Sequence, residues 1–300
     1  MTALPSLRQL SYLLALHDHG HFGRAAAACF VTQSTLSVGI AELERLLGAA
    51  LVERTRRTVR FTPLGEEVAA RARGLVRAAE DLAATAQGAQ EPLVGPLRLA
   101  VIPTVAPFLL PQLLPAIARS WPRLKLIVRE MLTGQAGEAL ARGSLDCVLL
   151  ALPVECGDVE TVPILSDRLL LAAKGEPSGR EDPERLLLLE EGHCLKDHAL
   201  AACDMAASAP DAPLVASTLH TLVRLVDAGL GHTLLPEMAV RAGMLAGTGV
   251  TAAAIDGLHA ERRIALAWRR GHARAAEFRM LAETVRTAVG DSARPDGAAQ

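Results

Sequence analysis

The segment from Thr32 to Gly48 constrains this chain more than any other. Thr32 is a favourable helix N-cap and Gly48 a favourable stop, so the residues between them read as one bounded helix running to Leu47. Leu36, Ile40, Leu43 and Leu47 recur at helical spacing on one face, and Gln33, Ser34, Ser37, Val38 and Ala41 fall on the other. That second face is small and polar, without the Glu/Lys pairing of an ordinary solvated helix. The recognition helix of a helix-turn-helix needs such a face, because its first side chains must approach base edges in the major groove. Taken alone, the helix fits a plain three-helix bundle equally well.

Its neighbours tip the reading toward DNA. Residues 6–30 read as two helices, the first with Ser6 as cap and a Leu7, Leu10, Leu13, Leu14 stripe, the second nearly all alanine over Arg24–Cys29. Leu51–Thr62 reads as two short strands around an arginine-rich turn, a wing suited to phosphates and the minor groove. Arg54, Arg56, Arg57 and Arg60 place four cations within seven residues there, although the net charge of the whole chain is −2. Thr62-Pro63 then starts a helix expected to reach about Gln87. Along it Val68, Leu75 and Leu82 recur every seven residues, with Ala72, Ala79 and Ala86 behind them, a short heptad seam for pairing two copies. Gln87–Pro96, with two glycines and two prolines, reads as a hinge.

From Leu97 onward strands and helices alternate. Strands are expected at Leu97–Ile102, Lys125–Glu130, Cys147–Leu150, Arg168–Ala173, Leu214–Ala216, His232–Leu235 and Ile264–Trp268. Helices are expected at Phe108–Ser120, Gly134–Arg142, Thr218–Ala228 and Ala273–Val289, giving α/β architecture with mostly parallel sheets. With 300 residues the chain is long enough for about two domains. No apolar run approaches the roughly 18 residues of a membrane span, and Met1 to Leu10 carries no export signal, so a cytoplasmic protein without membrane contact is expected.

The chemistry-bearing stretch is Gly192-His193-Cys194-Leu195-Lys196-Asp197-His198, with Cys203 nine residues after Cys194. A cysteine flanked by histidine, lysine and aspartate sits where a thiolate can be stabilised and a proton delivered. Lys196, a protonated His193 and a helix N-terminus at Gly192–Leu195 would all favour the anion. Five scattered cysteines do not make a disulfide scaffold. Cys29 and Cys147 read as small buried residues, and Cys156 sits in a loop. His193, Cys194, His198 and Cys203 could in principle ligate zinc, but their spacing matches no standard finger, and no metal or other cofactor is expected.

The chain, short of its tail, resembles the LysR-type transcriptional regulators. The resemblance is carried by Leu10-Ser11-Tyr12-Leu13, His21-Phe22, Arg24-Ala25-Ala26, Thr32-Gln33-Ser34-Thr35-Leu36-Ser37, Glu42-Leu43-Glu44 and Leu46-Leu47-Gly48. Leu51-Val52-Glu53-Arg54-Thr55 and Thr58-Val59-Arg60-Phe61-Thr62 add the wing; Ser34 stands where proline is more usual. Within that family the C-terminal part resembles the OxyR-type peroxide sensors at Ile102-Pro103-Thr104, Leu145-Asp146-Cys147-Val148, Glu191 to Asp197 and Leu234-Leu235-Pro236. Asp204-Met205-Ala206-Ala207 lacks the aromatic residue common after the second cysteine, and His198 is also unusual.

The resemblance implies an α+β chain: a winged helix-turn-helix over 1–62, a linker and dimerisation helix over 63–90, and a two-lobed α/β regulatory domain like periplasmic binding proteins over 91–295. Residues 296–300 are expected to be a disordered tail. It implies a non-enzymatic regulator in which Cys194 is the peroxidatic sulfur and Cys203 its resolving partner, with His193, Asp197, Thr104 and Thr133 supporting or contacting peroxide. Implied partners are double-stranded promoter DNA, RNA polymerase, and further copies of the chain as a homodimer assembling into a homotetramer. For DNA, Gln33, Ser34, Thr35 and Ser37 are expected at the recognition-helix start, with Arg24 and Arg54 mainly on phosphates; simple helix capping is the alternative for each serine or threonine. Two other readings are a LysR-type regulator binding a small organic effector between its lobes and a thiol peroxidase. The second leaves the arginine wing unexplained.

Overall fold

The computed structural model describes residues 4–54, 59–88, 91–153, 157–177, 182, 185–202, 215–254 and 260–292. Arg56 and Arg57 of the expected wing turn, Cys156, Cys203 with the four residues after it, and the expected tail at 296–300 lie outside these. The chain divides into two compact units, Met1–Glu91 with Ala141–Ser144 and Pro92–Leu140 with Leu145–Gln300.

In the first unit, α1 (Leu7–His19) begins at a capping box in which Ser6 and Gln9 bond reciprocally, and it ends at Gly20 in the left-handed region. α2 (Phe22–Ala28) is capped by His21, whose Nδ1 accepts from the Gly23 and Arg24 N–H groups. α3 (Gln33–Leu47) starts at Thr32 and stops at Gly48, as its sequence bounds predict. Leu13, Leu16, Ala25, Leu36, Ile40 and Leu43 form the core of this unit. Leu47, expected on the buried face, is 40% exposed in the last turn of α3.

Two short antiparallel strands follow, β1 (Val52–Arg54) and β2 (Val59–Phe61). The Glu44 carboxylate on α3 accepts from both the Leu51 and Val52 N–H groups, at 2.8 and 3.0 Å, and so fastens the strand pair to the recognition helix. Thr62 Oγ1 caps α4 (Pro63–Gly88) by accepting from Gly65 N–H at 2.9 Å. Gly65 is required by close approach, because a Cβ there would lie 2.0 Å from the Leu51 carbonyl oxygen. The heptad seam of α4 divides. Val68 and Ala72 pack into the core of this unit, whereas Leu75 and Leu82 are 59% and 74% exposed.

The second unit is built on β3 (Gly95–Val101), α5 (Ala106–Ser120), β4 (Leu124–Glu130), α6 (Thr133–Ala141), β5 (Cys147–Leu152) and β6 (Val159–Lys174). These are followed by β7 (Leu188–Leu189), α7 (Cys194–Ala202), β8 (Val215–Ala216), α8 (Leu219–Asp227), β9 (Thr233–Pro236), α9 (Glu237–Arg241), β10 (Val250–Ala253), β11 (Glu261–Arg269) and α10 (Ala275–Ser292). β5 is a continuous apolar run, Cys-Val-Leu-Leu-Ala-Leu, as a central strand covered on both faces should be.

Two hydrophobic cores make two lobes. One gathers β3, β5, β11 and the first half of β6 under α5, α6 and α10; the other gathers the second half of β6, β9 and β10 with α7 and α8. The expectation of mostly parallel sheets is corrected here. β3 runs parallel to β4 and β5, but β11 is antiparallel to both β5 and β6, and β9 and β10 are antiparallel to β6. The reason is the path of the chain: it crosses to the second lobe along β6 and returns along β11, so these two long strands oppose each other. β6 is also longer than the expected Arg168–Ala173 strand, because Pro163 does not end it. The register slips there, pairing Ile264 with Leu165 and Ala265 with Pro163, and the bulge absorbs the missing proline N–H. No single helix among the described residues is long and apolar enough to cross a membrane.

Substitution Gly65→Ala should force the α4 start away from Leu51 and destabilise the first unit by about 1–3 kcal/mol, the range for overpacking. Denaturant unfolding followed by circular dichroism measures this, and an unchanged midpoint would refute the close-approach argument.

Candidate functional site

Cys194 is the first residue of α7, where unpaired backbone N–H groups and the helix dipole favour an anion. Gly192 sets up that start: it sits at φ +89°, and a Cβ there would meet Leu132 Cδ1 at 3.1 Å. The cysteine is 8% exposed and packs in the first-lobe core, while Leu195, Ala199 and Leu200 of the same helix pack in the second. The sulfur therefore lies where the two lobes of this unit meet.

Burial and three groups set the charge of that sulfur. Burial pushes the Cys194 thiol up, but hydrogen bonds with His198 and Thr133 and the positive charges of Arg262 and His198 bring it below the ordinary thiol value. His198 follows Cys194 by four residues on α7, and its ring is pushed up to about 9 by the bond with Cys194, against its own burial and with help from backbone bonds to Leu152 and Cys194. Arg262, fully buried on β11, donates from Nη1 to Thr104 Oγ1 at 2.8 Å and from Nη2 to the Thr104 carbonyl at 3.0 Å. Its Nε donates to Asp167 Oδ2 at 3.0 Å, completing a buried ion pair.

Thr104 and Thr133, expected beside the thiol, are thus both brought to this cluster, Thr133 on the sulfur and Thr104 on Arg262. His193, which would favour the anion if protonated, directly precedes α7. Its ring is buried, burial holds it below the usual histidine value despite Glu190 and the Ser217 backbone, and among the described residues its Nδ1 has no hydrogen-bond partner. Lys196 is drawn away from the thiolate to Glu191, at 3.3 Å. Asp197 is exposed on the first turn of α7. Among the described residues no group of three or more His, Cys, Asp or Glu side chains could hold a metal ion.

Arg262 and Asp167 were missed by sequence reasoning, although a signal existed. In β11, Arg262 shares the buried phase with Ile264, Leu266 and Trp268, and in β6 Asp167 shares it with Leu169 and Leu171. A cation and a carboxylate on the apolar phase of two strands need each other.

In the first unit Gln33, Ser34 and Thr35 are exposed at the start of α3, and Ser37 is half-buried. The Ser34 and Thr35 hydroxyls lie 2.9 and 2.8 Å from Thr32 Oγ1, so they take part in the cap while facing outward. Arg24 is exposed, with Nη2 donating to the His19 carbonyl at 2.8 Å, and Arg54 ends β1.

Residues 7–66 match the family described as bacterial regulatory helix-turn-helix protein, lysR family, and residues 90–290 match the LysR substrate binding domain. The HTH-type transcriptional regulator EstR of Acinetobacter baylyi is 49% identical over 253 residues, covering 82% of this chain and 84% of that one. A probable hydrogen peroxide-inducible genes activator of Streptomyces viridosporus is 44% identical, covering 96% and 95%. Among solved structures, a full-length OxyR variant from Pseudomonas aeruginosa aligns with a TM-score of 0.77 at 32% identity, covering 95% of each chain.

Replacing Asp167 with alanine would leave a guanidinium buried without its counter-charge, a loss of about 3–5 kcal/mol. Chemical denaturation of the variant reads this out on the transition of the second unit. A loss below about 1 kcal/mol, the level of an exposed pair, would remove the ion pair from its structural role.

Proposed function

The chain belongs to the LysR family of bacterial transcriptional regulators, and on that premise we propose that it senses hydrogen peroxide through Cys194 and passes the signal to promoter DNA. The observation that carries this reading is the Cys194 thiol at a helix start, drawn toward its anion by His198, Thr133 and Arg262 in a largely buried position. Such a thiol would present a small oxidant with a nucleophile. The similarity to a peroxide-inducible activator and to an OxyR structure supports the choice of oxidant.

In the proposed reaction the Cys194 sulfur attacks one peroxide oxygen. An S–O bond forms as the O–O bond breaks, the sulfur is oxidised by two electrons, and the departing hydroxide takes up a proton to leave as water. In this reading Thr133 and Thr104 would orient the peroxide, with His193 and Asp197 as supporting residues. The thiolate of Cys203 then attacks the sulfenic sulfur, an S–S bond forms, and the expelled hydroxyl leaves as a second water. α7 is helical from Cys194 to Ala202, eight steps of 1.5 Å that hold the Ala202 Cα about 12 Å from that of Cys194, and one further residue spans at most about 3.8 Å. A disulfide needs roughly 4.4–6.8 Å. Closing it therefore requires α7 to unwind, which is how oxidation would change subunit packing and the placement of the DNA readers.

The readers are α3, through Gln33, Ser34, Thr35 and Ser37, with Arg24 and Arg54 on phosphates. The regulator would act in the cytoplasm, with residues 1–62 on DNA, 63–90 joining copies and 91–295 sensing. It would pair through Leu75 and Leu82 of α4, assemble dimers into tetramers, and act on RNA polymerase.

Cys194→Ser should retain operator binding and lose the peroxide-dependent change in transcript; a normal response in that variant rejects the assignment. A wild-type protein insensitive to peroxide would instead favour a small organic effector held between the lobes. The double substitution Leu75→Glu with Leu82→Glu should raise the dimer dissociation constant by about tenfold or more, equivalent to about 1.4 kcal/mol. Sedimentation equilibrium gives that constant, and an unaltered value removes α4 from the interface.

A further inference from the structure

The ring of His198 bridges two backbone carbonyls. Its Nδ1 is 2.6 Å from the Cys194 oxygen and its Nε2 is 3.0 Å from the Leu152 oxygen at the end of β5. A neutral imidazole has one donor nitrogen and one acceptor nitrogen, and a carbonyl oxygen can only accept. The ring satisfies both partners only when each nitrogen carries a proton, that is, as an imidazolium.

We infer that His198 is held as an imidazolium by this pair of carbonyls and supplies the positive charge that keeps Cys194 a thiolate, while latching α7 to β5. The inference rests on the reading of Cys194 as the sensor thiol and adds a positioning residue to it. The other charged groups near the sulfur are already engaged. Arg262, from β11, is paired with Asp167 of β6; Lys196 is paired with Glu191; burial holds the His193 ring below the usual histidine value. No carboxylate pairs with His198 among the described residues, so its charge is directed at the sulfur. The elevated proton affinity of the ring agrees with this arrangement.

The latch also gives oxidation a route into the backbone. A neutral sulfenic acid no longer balances the imidazolium, and the bond that ties α7 to β5 loses its electrostatic support. The helix that must unwind is thereby released by the same chemical event that consumes the oxidant.

The test uses the full-length reduced protein. Iodoacetamide alkylation of Cys194, followed by mass spectrometry across pH, reports the thiolate fraction. His198→Gln should lower the alkylation rate at neutral pH about tenfold or more, one unit or more in the thiol midpoint. His198→Lys, which restores the charge without the planar bridge, should recover most of that rate. Equal losses in both variants would assign His198 a packing role and overturn the proposal, as would a wild-type profile in His198→Gln. Deuterium exchange at the His198 ring carbon in the unmutated protein should titrate near 9; a midpoint at the usual histidine value also overturns it. None of these readouts uses peroxide. A thiol midpoint that depends on His198 in a protein inert to peroxide would sink the sensor reading and leave this one standing.

Discussion

A guanidinium with no exposed surface organises the second unit. Arginine cannot shed its charge, so wherever Arg262 is buried its surroundings must supply acceptors. They come from two separate segments: the Asp167 carboxylate on β6 and the hydroxyl and carbonyl of Thr104 before α5. Asp167 extends the chain of bonds by accepting from Met238 N–H on α9 with its other oxygen, at 3.0 Å. One buried charge thus ties β11, β6, the entry to α5 and the start of α9 into a single frame, and Cys194 sits within its field.

The first unit was largely legible in the sequence because its signals are local. Thr32, Gly48, Ser6 and Thr62-Pro63 are caps and stops whose effect is settled within a turn or two, and the structure places helix boundaries at each. Leu47 was misplaced because helical periodicity says which face a residue occupies but not how far along the helix the core extends. The second unit was harder. Strand positions followed from apolar runs, but strand direction depends on which connection crosses between lobes, and that is a long-range property. The role of Glu44 was likewise hidden, since its two N–H partners lie beyond the end of its own helix.

The candidate site was legible in its cysteine and less so in its electrostatics. Adjacency in sequence suggested His193 and Lys196 as the cations beside Cys194, but residues next to each other on a helix point in different directions. His198, four positions on, shares the face of Cys194, and Arg262 arrives from a strand close to seventy residues away in sequence. Their surroundings then separate the histidines: burial holds His193 below the usual histidine value, while His198, bonded at both nitrogens, is pushed up to about 9.

The position of α7 across two cores has an energetic consequence for any oxidised state. Unwinding the helix withdraws Leu195 and Leu200 from the second-lobe core, and burying each such side chain contributes about 1.5–3 kcal/mol. That penalty would weaken the proposed disulfide against cellular thiols, at about 30 mV for each 1.4 kcal/mol. On the proposed mechanism the oxidised form would be the loaded spring, recoiling to the reduced fold once the oxidant is gone and reductant returns.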